Sequence, residues 1–146
     1  MITARGHRAA VLALCSSLVA CAAAVQPHHA SPTGPTISGA GMAPDHTYAG
    51  CTSTLRFHFD AGPDPAAAPA AWELLRAHGE GRLRRAGIGP LDGGRAGDAV
   101  IPVTLPHSGV YHYVVQVEDD AGAWSNALAA TVVVDPRLPH RTTTCP

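Results

Sequence analysis

The sequence predicts an all-β sandwich, and two observations carry that prediction. Residues Thr52 to Phe59 and Tyr111 to Val117 alternate apolar and polar side chains with a period of two, the pattern of strands with one buried face. Short β-rich segments are separated by clusters of Pro, Gly and Asp, the punctuation of a chain that folds back many times.

The body of the chain is bounded by about Thr36 and Asp135, and its strands follow in order. In the first clear strand Leu55, Phe57 and Phe59 share one face and Arg56 and His58 the other. Pro63-Asp64-Pro65 closes it. Residues Ala70 to His78 are ambiguous: Ala, Leu, Glu and Arg favour a short helix, whereas the neighbouring strands and Gly79/Gly81 favour a hairpin leading into Arg82-Leu83-Arg84. The strand is the reading taken. Val100 to Leu105 contains Pro102, which cannot donate to a ladder and so suits an edge or a strand start. Pro106 to Gly109 turns the chain into Tyr111–Val117, the strongest strand. Asp119-Asp120-Ala121-Gly122 turns it again, and Thr131–Val134 closes the sheet before Asp135-Pro136.

Ahead of this body lies an export signal. Arg5 and Arg8 precede an apolar run from Ala9 to Ala20, and small residues follow, as in a secretory signal peptide. The run is short of the roughly 20 apolar residues a spanning helix needs. Leu18-Val19-Ala20-Cys21 resembles the lipobox of bacterial lipoproteins. The resemblance implies cleavage of residues 1–20, lipid attachment on Cys21 as diacylglycerol and acyl chains, and residence on the outer face of the cytoplasmic membrane or on the outer membrane. Cleavage after Ala24 is the alternative, giving a freely secreted chain. Residues 21–35, rich in Ala and Pro, read as a flexible tether, and residues 136–146 as a C-terminal tail.

Export also sorts the cysteines. Cys15 falls in the leader and Cys21 takes the lipid or is lost, so Cys51 and Cys145 survive in either case. An even pair in an oxidising compartment reads as a disulfide. The ten Lys+Arg are all arginine, against 11 Asp+Glu, and no basic patch of the kind nucleic acid requires is visible. Arg82, Arg84 and Arg85, with Glu80 beside them, read as a solvated strand or turn.

The segment Ser108 to Ser125 resembles the late strands of fibronectin type III and related bacterial immunoglobulin-like domains. Trp72-Glu73-Leu74 matches the start of that family's central strand. The resemblance implies an immunoglobulin-like sandwich over 36–135, with Tyr111 as a corner tyrosine bonded back to the preceding backbone. The family's usual tryptophan on the second strand is absent, and Phe57 or Phe59 supplies its volume.

No catalytic constellation is legible. There is no Gly-x-Ser-x-Gly, and the surviving thiols are paired, so nucleophilic catalysis lacks its groups and no enzyme is expected. Asp119-Asp120 has a turn role, without calcium-ligand spacing around it. Gly93-Gly94-Arg95-Ala96-Gly97 lacks the Lys-Ser/Thr of a phosphate loop. The nine histidines show no zinc or copper spacing, His28 and His29 included, so neither metal nor cofactor is expected. Trp124 closes the core or, exposed, serves as a ligand contact. The expectation is a lipid-anchored, non-enzymatic envelope protein that binds another envelope protein or has a structural accessory role. A carbohydrate- or peptidoglycan-binding module using Trp124 is the alternative, and a metal-binding envelope protein a further one.

Overall fold

The computed structural model describes residues 24–92, 94–137 and 144–146. The leader and the proposed lipid site Cys21 lie outside the described residues. Among the described residues there are eight strands: β1 (Thr36–Ala43), β2 (His46–Tyr48), β3 (Thr52–Asp60), β4 (Pro69–His78), β5 (Arg84–Pro90), β6 (Ala96–Thr104), β7 (Gly109–Asp119) and β8 (Leu128–Asp135). They form a three-stranded sheet, β1-β3-β6, and a five-stranded sheet, β2-β8-β7-β4-β5. All pairings are antiparallel except the short parallel one of β2 with β8.

Alternation accounts for the core. Leu55, Phe57 and Phe59 of β3 meet Tyr111, Tyr113, Val115 and Val117 of β7 between the two sheets, with Ile101, Val103 and Val132 filling around them. Burying such side chains is worth about 1.5–3 kcal/mol each before conformational entropy is counted. The ambiguous segment is strand: β4 lies between β7 and β5 with Leu74 buried in the core, so sheet context overrides local helix propensity. β6 is an edge strand of the smaller sheet, where Pro102 costs no bridging partner.

Tyr111 holds the corner. Its hydroxyl donates to the His107 carbonyl at 3.1 Å and accepts from the His107 N–H at 3.2 Å. Gly109 makes this turn possible, because its φ is +129° and a Cβ there would lie 2.5 Å from His78 Nε2. A second close approach occurs at Gly89 of β5, where a Cβ would meet the Trp72 indole at 2.6 Å.

Cys51 and Cys145 are joined by a disulfide with a Cα–Cα distance of 5.5 Å. It sits at the pole where β3 begins and β8 ends, since Gly50 N–H donates to Leu105 O and Ala49 N–H to Asp135 O. The bridge therefore fastens the tail to this pole. The outer edge of β8 is taken by β2.

Candidate functional site

The outward face of the five-stranded sheet carries two polar residues buried as deeply as the core. Glu73 on β4 and Gln116 on β7 are register partners, and each is only 2% exposed. Strand periodicity aims both away from the core, so something must cover them. The cover is the segment from Ala24 to Pro35.

This corrects the reading of residues 21–35 as a flexible tether: from Ala24 onward the chain is a docked strap. Its composition supplies no core of its own, so it uses polar groups of the sheet. Val25 N–H donates to Leu83 O at 3.2 Å, and Ser31 N–H to Trp124 O at 2.8 Å. Between them His28 is held four ways. Its backbone N–H donates to Gln116 Oε1 at 2.7 Å, and its carbonyl accepts from Gln116 Nε2 at 2.9 Å. Its Nε2 lies 2.8 Å from Glu73 Oε2, the geometry of a ring N–H donating to a carboxylate. Its ring stacks on Trp124, with centroids 3.9 Å apart and planes at 11°.

Glu73 has a second partner, Arg85 of β5, whose Nε donates to Glu73 Oε1. A buried carboxylate is tolerated only when it is paired and hydrogen-bonded, and here Arg85 and His28 meet that need. Chemically the cluster is a latch that converts Glu73, Gln116 and Trp124 into anchor points for an otherwise structureless segment.

Other expected residues fall elsewhere. Trp124 lies outside the core cluster, half-buried, with one face of its ring taken by His28. Trp72 is half-buried at a lateral opening of about 180 Å³ between β5 and β6, beside Arg76, Ile101 and Tyr113. Desolvation raises the Tyr113 pKa, and its buried hydroxyl has no hydrogen-bond partner among the described residues. Asp119 accepts from the Ala121 and Ala123 N–H groups, and Asp120 from that of Ala68, so both carboxylates order turns. Arg95, in the glycine-rich loop, donates to the carbonyls of Gly62, Asp64, Pro65 and Ala67 and clamps the β3–β4 connection. No group of three His, Cys, Asp or Glu among the described residues is placed to hold a metal.

The outward faces of the two sheets keep His58 and His112 apart, on β3 and β7 respectively. His58 lies between Asp98 at 2.9 Å and Asp60 at 3.5 Å. The hydrogen bond to Asp98 raises its pKa above the ordinary value, with Asp60 adding to the effect against a lowering by desolvation. A histidine pKa raised by folding contributes stability that is fully present below the unfolded value of about 6.5 and is lost as pH rises through the folded value. Asp98→Asn is expected to lower the His58 midpoint, read from its ring-proton shifts by NMR, and to flatten that part of the stability profile. An unchanged midpoint would show that Asp98 does not set it.

No protein-family model matches the chain, and no curated protein matches it. Solved structures do. A superoxide reductase (neelaredoxin) from Ignicoccus hospitalis is 20% identical with a TM-score of 0.44, over 70% of this chain and 80% of that one. Astrotactin-2, a vertebrate-specific, perforin-like membrane protein involved in neuronal development, is 14% identical with a TM-score of 0.50, over 74% of this chain and 23% of that one. The PKD domain of an M14-like peptidase from Thermoplasmatales archaeon SCGC AB-540-F20 is 17% identical with a TM-score of 0.40, over 71% and 94%. At these identities the likeness is one of fold. It nevertheless corrects the expectation that the chain is no enzyme. An enzyme, superoxide reductase, stands among its structural neighbours.

Proposed function

We propose that this chain is a lipid-anchored protein of the bacterial cell envelope, whose immunoglobulin-like, fibronectin type III-like sandwich acts as a protein-binding or structural accessory module. The observation that carries the reading is the sequence Leu18-Val19-Ala20-Cys21 behind a charged, apolar leader, ahead of a disulfide-closed domain whose first strand begins at Thr36. A disulfide of this kind belongs to an oxidising compartment. The finer fold assignment is supported by the strand order of the two sheets and by the Tyr111–His107 corner, both features of that family.

A protein partner is favoured over a glycan. The ring that would stack on a sugar, Trp124, is already stacked by His28. By contrast, the edge strands β5 and β6 present Ile88 and Val100 at 59% and 58% exposure. Exposed edges carrying apolar side chains are surfaces on which another chain can pair or pack.

Cys21→Ser tests the anchor. In the native host the parent protein is expected in the membrane fraction, with acyl chains found by mass spectrometry on an N-terminal Cys21. The variant is expected in the soluble exported fraction. A variant that stays membrane-bound in high salt, which screens electrostatic contacts with headgroups, or a mature N-terminus at Val25, would overturn the assignment.

A further inference from the structure

Four arginines separated in sequence converge at one pole of the domain. Arg76 leaves the end of β4, Arg82 lies in the β4–β5 connection, and Arg84 and Arg85 open β5. With His78 and Gly81 they line a surface pocket of about 300 Å³. Arg82, Arg84 and Arg85 are exposed, while Arg76 is half-buried with its guanidinium 5.8 Å from the Tyr111 ring centroid. The acidic residues nearby in the fold are Glu73, engaged by Arg85, and exposed Glu80. Two positive charges remain in excess. Arg137, beside the disulfide sulfurs, lies at the same pole, where the exposed carboxylate of Asp135 offsets its charge.

The strap begins at this pole. Val25 is hydrogen-bonded to Leu83, between Arg82 and Arg84. Cys21 precedes Val25 by four residues, and four extended residues reach at most about 14 Å. If Cys21 carries the lipid, as proposed above, covalent reach alone holds the arginine pole close to the headgroups. That distance is comparable with the screening length of about 10 Å at ordinary ionic strength. Docking of the strap thus replaces a long swinging tether by a short leash on the basic end of the domain.

The geometry points to a membrane-facing surface: the Arg76–Arg82–Arg84–Arg85 pocket receives the phosphate of anionic phospholipid headgroups and sets the domain pole-down on the bilayer. Guanidinium groups suit this ligand, because their N–H donors match phosphate oxygens in pairs. The inference rests on the lipoprotein reading for its geometry, but the attraction belongs to the folded domain and is measurable without the lipid.

The full chain carrying Cys21→Ser is mixed with vesicles of phosphatidylcholine, with and without phosphatidylglycerol, and the bound fraction is measured by sedimentation. Binding is expected only to the vesicles containing phosphatidylglycerol, and is expected to fall with added salt. Each arginine near an anionic surface strengthens binding about five-fold, so Arg82→Gln with Arg84→Gln should weaken it about 30-fold. Arg85 is left in place because it holds Glu73. Arg56→Gln, on the outer face of β3, serves as the control and is expected to bind like the parent. An intact Cys51–Cys145 disulfide verifies the fold of each variant. Equal binding to neutral vesicles, no loss in the double variant, or retention of inorganic phosphate without vesicle binding would overturn the proposal. The acyl mass on Cys21 of the parent protein is read separately, so a missing lipid and an inert arginine pole give different results.

Discussion

Cys145→Ser is expected to lower the stability of the domain by about 2–5 kcal/mol, the usual cost of removing a native disulfide from a small domain. The bridge links residues 94 apart in sequence, and the chain-entropy model assigns a loop of that size about 4.5 kcal/mol. A domain of this size has a total stability of about 5–15 kcal/mol, so the loss is a large share. Cys145 is the better partner to replace, since it lies on the surface whereas Cys51 is 1% exposed. Urea unfolding of parent and variant, with and without reductant, is the measurement. The parent under reductant should fall to the midpoint of the variant, and the variant should not respond. Equal midpoints for oxidised parent and variant would remove the bridge from the list of stabilising contacts.

Arg85→Ala is expected to cost more than Glu73→Gln, about 2–3 kcal/mol against about 1 kcal/mol. The asymmetry follows from burial. Glu73 is 2% exposed while the Arg85 side chain is 59% exposed. Removing the arginine leaves a buried carboxylate with only His28, whereas neutralising the carboxylate leaves a guanidinium that water can still solvate. The double variant should therefore be more stable than Arg85→Ala alone. Urea midpoints of the two single variants and the double variant decide it. Additive losses, or a larger loss at Glu73, would mean that desolvation of the carboxylate is not what Arg85 offsets.

The parts of the fold written in side-chain alternation were legible in the sequence. Leu55, Phe57 and Phe59, and the Tyr111 to Val117 series, stand where their period puts them. Pro102 marks an edge strand because a missing N–H can be spared only there. Other strands left little trace. β1 reads Thr-Ile-Ser-Gly-Ala-Gly-Met-Ala and the end of β5 Ala-Gly-Ile-Gly-Pro, and glycine carries no side chain from which a period can be read. β2, with three residues, is too short to show one. The candidate site was hidden for a different reason. Glu73 and Gln116 occupy outward positions, which normally means solvent, and the Ala/Pro composition of the strap normally means disorder. Each expectation was locally sound, and each failed because the two surfaces cover one another. Arg76 and His78 likewise join Arg82, Arg84 and Arg85 only through the β4–β5 hairpin, a neighbourhood that linear spacing does not express.

The position of the disulfide has a consequence for how the chain comes apart under proteolysis. Six of the eight strands, β3 to β8, lie between Cys51 and Cys145. A protease that cuts any single loop within that span produces two fragments that stay covalently joined as well as packed together. Separating the sandwich from the N-terminal strap by one cut therefore requires cleavage ahead of Cys51, in the strap or among β1 and β2. After a single cut, a sandwich fragment released without reduction should begin within that short N-terminal stretch, which is therefore the stretch where one cleavage is enough to free the domain.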